Sequence, residues 1–158
     1  MNDRELEKLA EQYAGLIYRL ALNDTRSPSD AEDILQEVLL ALFTSAPGFE
    51  SQEHEKRWLI RVTLNKGKNH RRSLLRRPTL PLEEADGYVS QEPDHRALRE
   101  AVAALPRNQR RAVDLYYYEG YSTSEIAAIL NAKEATVRTW LHRGRQRLKE
   151  YLSKEATL

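Results

Sequence analysis

Two predicted helices joined by a short turn, at 122–131 and 134–152, carry the most specific chemistry of this 158-residue chain. The second helix is long and basic. If Val137 and Leu141 face inward, a helix of about 3.6 residues per turn directs a polar set outward: Ala135, Thr136, Thr139, His142, Arg143 and Gln146. This pattern is typical of a helix-turn-helix, whose second helix enters the major groove of DNA.

The predicted DNA-binding surface of this motif combines central polar groups with flanking cations. Small polar groups and an arginine suit base edges, whereas long cations suit phosphates. The predicted contacts are Ser122, Lys133, Glu134, Thr136, Arg138, Thr139, His142, Arg143, Gln146 and Arg147. A solvated basic helix in a bundle is the simpler alternative, but the capped helix and tight turn before it favour DNA binding.

A second basic segment, residues 56–77, has nine cations and no acid. Its cations alternate with asparagine, histidine and tryptophan, which stack on or hydrogen-bond to unpaired bases. The predicted contacts are Arg57, Trp58, Arg61, Asn65, Lys66, Lys68, Asn69, His70, Arg71 and Arg72. A solvated face or a phosphate clamp is the alternative, and the helical spacing of Trp58 favours a place in the core.

An acidic cluster precedes this basic segment, at the start of a helix predicted from residue 28. Taken alone, Asp30 and Asp33 are ordinary acidic residues of a first helical turn, where the helix dipole favours negative charge. A catalytic or metal site would need clustered carboxylates, a nucleophile beside a base, or histidines at ligand spacing, and the four histidines are scattered. We therefore expect no enzymatic activity, no cofactor or metal, and no small-molecule substrate.

The composition points to a reducing compartment and to charged partners. Because the chain has no cysteine, we expect a cytoplasmic protein, and no apolar run reaches the length of a signal peptide core or a membrane span. The total charge of +1 conceals four blocks: residues 1–55 carry 4 basic and 12 acidic groups, 56–77 carry 9 and 0, 78–95 carry 0 and 5, and 96–158 carry 12 and 7.

Hydrophobic spacing predicts helices and no strand. The first is expected from Leu6 to about Asn23, the second from the cap Ser27, and the third from Ser51 to about Arg76. The second helix is expected to bury Ile34, Leu35, Val38, Leu39, Leu42 and Phe43. A further helix begins at Pro106 and runs to Gly120, a capping box at Ser122 and Glu125 opens the next, and Asn131 takes the left-handed conformation of the turn.

Residues 78–95 predict a tether, because they combine three prolines, a glycine and five acids without helical periodicity. The sequence therefore predicts an all-α fold: two small helical domains, 1–77 and 96–158, joined by a flexible acidic linker at 78–95.

The chain resembles the extracytoplasmic-function sigma factors of RNA polymerase. The run Asp-Ala-Glu-Asp-Ile-Leu-Gln-Glu at 30–37 resembles their acidic signature in region 2, and 56–72 resembles the basic, tryptophan-containing helix that follows it. Residues 105–148 resemble region 4, with landmarks at Tyr121-Ser122, Glu125-Ile126-Ala127, Thr136-Val137 and Leu141-His142-Arg143.

The resemblance implies a protein that binds core RNA polymerase and directs promoter-specific transcription initiation. By that resemblance Asp30, Asp33, Gln36 and Glu37 dock on the polymerase, residues 56–72 open and read the minus-10 element, and the helix from Glu134 reads the minus-35 element. It leaves open whether an anti-sigma factor binds the chain. An autonomous repressor or activator, which would bind duplex DNA as a dimer without polymerase, is the alternative.

Three residues depart from the pattern that the chain resembles. Trp140 stands where arginine is usual, Gly144 where alanine is usual, and Asn69 where aspartate is frequent. Trp140 is expected on the flank of the buried face. Gly144 is expected to cost its helix up to about 1 kcal/mol and to make it less regular.

Overall fold

The computed structural model describes residues 2–74 and 96–156, with side chains for 2–70 and 96–154. Every regular element in these ranges is a helix, which confirms the predicted fold class. The chain divides into two compact units, Met1–Val89 and Ser90–Leu158. The predicted linker at 78–95 lies outside the described residues.

Unit 1 is a bundle of three helices, α1 (Asp3–Thr25), α2 (Pro28–Ser45) and α3 (Gln52–Leu74). A capping box between Asn2 and Glu5 opens α1, and Arg26 ends it in the left-handed conformation at φ 57°. As predicted, Ser27 caps α2, where its hydroxyl oxygen accepts a hydrogen bond from the Asp30 N–H at 3.2 Å, with Pro28 in the first turn. These local caps fix where the chain reverses between the helices.

The core of unit 1 collects apolar side chains from all three helices. Its fully buried members are Ile17, Leu20, Leu22, Ile34, Leu42, Leu59, Ile60 and Val38. The predicted burial of α2 side chains is confirmed for Ile34, Val38 and Leu42, whereas Leu35 and Leu39 are half-buried. The prediction for Phe43 is wrong, since its side chain is 45% exposed. Phe43 lies about 100° around the helix from Leu42, beyond the width of the contact with α1 and α3.

A buried tyrosine also connects α1 to α3. Tyr13 on α1 is enclosed by the core, and its hydroxyl donates a hydrogen bond to Glu55. Burial, this hydrogen bond and the charges of Glu55 and Glu53 raise the pKa of Tyr13 to about 12.

Unit 2 contains α4 (Arg96–Ala103), α5 (Arg107–Val113), a π-helical turn (Asp114–Tyr118), α6 (Thr123–Leu130) and α7 (Glu134–Ala156). The helix predicted from Pro106 to Gly120 forms over Arg107–Tyr118, and its last five residues, Asp114–Tyr118, are π-helical. Its end widens into a π turn, in which the Glu119 N–H donates to the Asp114 carbonyl at 3.2 Å, and Gly120 then leaves the helix at φ 77°.

The turn between α6 and α7 follows the local chemistry that the sequence predicts. Ser122 and Glu125 form the capping box, and Asn131 adopts φ 52°. Val137 and Leu141 are buried as expected, so the opposite face of α7 is turned outward. In addition, the Thr123 hydroxyl donates a hydrogen bond to Glu134 Oε1 at 2.9 Å and so connects the first turns of both helices.

None of the helices in the described part of the chain combines the length and hydropathy that a membrane crossing requires.

Candidate nucleic-acid and partner interfaces

The outer face of α7 carries most of the residues predicted to contact duplex DNA. Thr136 is half-buried, and the other predicted residues of α7 are exposed: Glu134, Arg138, Thr139, His142, Arg143, Gln146 and Arg147. Lys133 is exposed immediately before the helix. The buried residues Val137, Leu141 and Gly144 lie on the opposite side. The helix thus has one polar, cation-rich face and one packing face.

Two predicted contacts in this motif already have structural partners. The Ser122 hydroxyl oxygen accepts from the Glu125 N–H at 3.2 Å and so caps α6. Glu134 accepts the hydrogen bond from Thr123 and lies 3.0 Å from Arg138 Nη1. The Thr123–Glu134 hydrogen bond links α7 to α6, and the central residues Thr139, Arg143 and Gln146 form the solvent-facing stripe.

Arg145 has surroundings that the sequence did not reveal. Its guanidinium carbon lies 5.7 Å and 5.6 Å from the ring centres of Tyr116 and Tyr117, and its Nε donates to the Tyr117 hydroxyl. These tyrosines belong to the π turn, so Arg145 fastens α7 to that turn. A run of tyrosines at 116–118 was the only signal for this contact in the sequence.

The basic helix α3 divides its predicted contacts between two sides. Arg61, Asn65, Lys68 and Asn69 are exposed, and at about 100° per residue they form one stripe. Lys66 is half-buried outside this stripe. Arg71 and Arg72 belong to α3, and their side chains lie outside the described part.

Two further predicted residues of α3 have partners within unit 1. Trp58 is half-buried against the core, with its ring edge-to-face on Phe49 at 5.6 Å between centres. Arg57 Nε lies 3.0 Å from Glu53 Oε1 one turn earlier. The alternative interpretation of Trp58 as a core residue therefore agrees with its packing.

His70 turns toward α2, away from the exposed stripe of α3. Its Nε2 lies 3.2 Å from Glu37 Oε2, and its Nδ1 lies 3.5 Å from Asp30 Oδ1. The His70 side chain is only 15% exposed. One residue predicted to contact DNA thus joins two residues predicted to contact the polymerase.

The outer face of α2 combines acidic and apolar groups. Asp33 and Gln36 are exposed, and Glu37 is half-buried beside His70. Leu40, 63% exposed, and Phe43 continue the same face one and two turns later. Asp30, in contrast, is 1% exposed and faces inward, so the outer face does not include it. The sequence missed the apolar half of this surface because both residues were compatible with a core position.

Asp30, Asp33 and His70 also bring one potential metal ligand each within 4.8 Å of one another. The attraction between imidazole and carboxylate accounts for this approach without an ion, and both aspartates stand where the α2 dipole favours acids. We assign the group to the packing of α2 against α3.

The architecture is that of a two-unit helical protein with a helix-turn-helix in its second unit. Two family models match it in succession: sigma-70 region 2 at residues 9–77 and sigma-70, region 4 at residues 95–148.

Similar proteins of known class cover both units. The chain is 36% identical over 163 residues to the ECF RNA polymerase sigma factor SigE of Mycolicibacterium smegmatis, which covers 96% of this chain and 63% of SigE. It is 31% identical over 150 residues to the ECF RNA polymerase sigma factor SigM of Mycobacterium tuberculosis, covering 92% of this chain and 76% of SigM. The chain therefore belongs to the ECF family of RNA polymerase sigma factors, which are transcription initiation factors.

Solved structures show the same fold. The sigma factor RpoE of Bartonella quintana, in complex with the anti-sigma factor NepR, superposes with a TM-score of 0.71 at 23% identity over 95% of both chains. CnrH, in complex with the cytosolic domain of CnrY, gives a TM-score of 0.66 at 21% identity over 97% of this chain and 90% of that one.

Proposed function

We propose that this chain docks on core RNA polymerase through the outer face of α2, reads and opens the minus-10 element with α3, and reads the minus-35 element with α7. The observation that carries the proposal is the sorting of side chains on the two basic helices. Each buries an apolar face. The outer face of α3 presents asparagines and cations, and the outer face of α7 presents threonine, glutamine and cations. Family membership identifies the DNA as promoter DNA and the partner as the polymerase.

The docking surface comprises Asp33, Gln36, Glu37, Leu40 and Phe43. Carboxylates at one end steer a basic partner, and two exposed apolar side chains at the other end supply area that gains free energy when water leaves it. Exposed leucine and phenylalanine next to each other on a small helical bundle are typical of a protein interface. Asp30 is left out of this surface because it is buried.

On α3 the proposed contacts with the minus-10 element are Arg61, Asn65, Lys68 and Asn69. The two cations follow a phosphate backbone, while the two amides present donors and acceptors to bases that have left the stack. Trp58 is half-buried and packs against the core, so we expect it to hold α3 in place rather than to stack on a base.

On α7 the proposed readers of the minus-35 element are Thr139, Arg143 and Gln146, with His142 beside them. Arg138, Arg147 and Lys133 surround this centre as phosphate contacts. Glu134 and Ser122 orient the two helices of the motif. An arginine directed at base edges can form the bidentate contact with guanine, which is the commonest specific contact in the major groove.

We infer further that the protein acts in the cytoplasm and has no enzymatic activity of its own. We also infer that a protein of the anti-sigma type regulates it, supported by the complex of the structurally similar RpoE with NepR.

Transcription reconstituted from purified components tests the proposal. The full chain, added to core polymerase that lacks other sigma factors, should yield starts at specific members of a promoter library. Binding to duplex DNA as a dimer in the absence of polymerase, with no gain of specific starts, would instead support the repressor or activator alternative.

A further inference from the structure

His70 lies on the side of α3 that faces the bundle. Its neighbours one and two turns back, Gly67 and Thr63, are buried, whereas Asn65, Lys68 and Asn69 are exposed on the far side. At about 100° per residue, His70 is rotated roughly 160° from the middle of that stripe. A base held by the stripe is therefore out of reach of the His70 ring.

Both nitrogens of the His70 ring face carboxylates of α2. Nε2 approaches Glu37 at 3.2 Å, and Nδ1 approaches Asp30 at 3.5 Å. A neutral imidazole can donate a hydrogen bond to one carboxylate only, and an imidazolium can donate to both. The ring thus lies between the two helices and links α3 to α2 near the described end of the stripe.

Glu37 differs from Asp30 in that it reaches the surface. Its side chain is 44% exposed, so one carboxylate oxygen contacts His70 while the residue also belongs to the proposed docking face of α2. The second contact, with the buried Asp30, anchors the ring to the interior. A protein that binds the outer face of α2 therefore touches a residue directly joined to the DNA-facing helix.

We propose that His70 is a positioning residue that couples polymerase docking to promoter opening through Glu37. The inference rests on the proposed function. When the polymerase immobilises Glu37, the contact with His70 immobilises the end of α3, and Asn65, Lys68 and Asn69 are held in the orientation that receives unpaired bases. His70 acts through these neighbours and makes no contact with DNA.

A double-mutant cycle between Glu37→Gln and His70→Gln tests this coupling, with polymerase at saturating concentration so that weaker docking is compensated. Each single substitution should slow promoter opening, measured with a fluorescent base in the minus-10 element, by about fivefold or more. The double variant should be no slower than the slower single variant, because both remove the same contact. His70→Asn replaces His70→Gln if circular dichroism shows a loss of helix.

Arg61→Ala is the matched control, since Arg61 lies on the same exposed stripe but more than two turns before His70, outside the segment that the contact with Glu37 holds. Its effect should multiply with that of Glu37→Gln. Multiplicative effects for His70 and Glu37, or no effect of either on opening, would overturn the coupling even if the protein is an active sigma factor. If the chain does not bind polymerase at all, the proposed function fails instead.

Discussion

Gly144 of α7 lies directly against Val113 of α5. A Cβ added at Gly144 would be 3.0 Å from Val113 Cγ2 and 3.7 Å from Gln109 Cβ. Glycine is unfavourable by about 1 kcal/mol relative to alanine inside a helix. The close approach of the two helices explains why it stands here, and α7 continues without interruption through it from Glu134 to Ala156. The expectation of a less regular helix is therefore wrong.

Gly144→Ala should destabilise unit 2 by about 1 kcal/mol, because the cost of displacing Val113 exceeds the gain in helix propensity. In a Val113→Ala background the same substitution should stabilise the unit by up to about 1 kcal/mol, since the obstacle is gone. Urea unfolding followed by Trp140 fluorescence, in a Trp58→Phe protein, measures both values. If Gly144→Ala changes stability in the same direction in both backgrounds, this explanation is contradicted.

Tyr13 should make unit 1 sensitive to alkali. Its pKa is raised from 10.0 to about 12 in the folded protein, so the folded state favours the neutral phenol. This stabilisation is complete below the unfolded pKa and is lost as the pH rises from about 10 through about 12. Over this range the free energy of unfolding should fall by no more than roughly 2 to 3 kcal/mol.

Tyr13→Phe should remove that loss while lowering stability at neutral pH, because the hydrogen bond to Glu55 disappears. Unfolding followed by Trp58 fluorescence in a Trp140→Phe protein reports on unit 1. Tyr18→Phe is the control for tyrosine titration in general. A Tyr13→Phe protein with an unchanged alkaline slope would show that another group is responsible.

The features that the sequence predicted best depend on residues close to one another in the chain. Ser27 caps α2 through a group three residues away, and the Ser122 capping box and the left-handed Asn131 are equally local. Periodicity also placed Val137 and Leu141 inward, because the apolar residues of α7 recur at helical spacing and therefore lie on one face. From these features the helix-turn-helix could be predicted almost completely.

The features that the sequence missed depend on which helix lies opposite. Phe43 is apolar and stands at the edge of the α2 stripe, and only the width of the contact with α1 and α3 decides that it is exposed. His70 is as polar and basic as its neighbours, and its partners Asp30 and Glu37 lie more than thirty residues earlier. Spacing along one helix cannot reveal such a pair.

Leu40 and Asp33 should contribute to polymerase binding in different ways. Leu40→Ser removes exposed apolar area that the polymerase would bury, so we expect affinity to fall about tenfold with little dependence on salt. Asp33→Arg reverses the steering charge, so its effect should fall on the association rate and diminish at high salt. Surface plasmon resonance on immobilised core polymerase at two salt concentrations separates the effects. Leu98→Ser, an exposed leucine of unit 2, is the control.

Substitutions of Arg143 and Lys149 should distinguish base recognition by α7 from its non-specific electrostatic attraction to DNA. Both are exposed cations of the same helix. Arg143→Ala should relax base preference at one minus-35 position by about 1 to 3 kcal/mol, because a bidentate contact with a base edge is lost. Lys149→Ala should weaken binding about equally for all sequences and reduce the salt dependence. Promoter-library selection with both variants measures the preference, and an unchanged preference for Arg143→Ala would remove Arg143 from the readers.

Asn65→Ala and Lys68→Ala should impair strand opening while leaving minus-35 preference intact. Both side chains lie on the exposed stripe of α3, where amides and cations suit unpaired bases and their backbone. Permanganate footprinting on a matched duplex should show less reactive thymine around minus 10 for these variants. On a template with a pre-opened bubble they should recover, because the cost of unpairing has been removed, whereas Arg143→Ala should not. Equal recovery of both classes would show that α3 and α7 do not divide opening and reading between them.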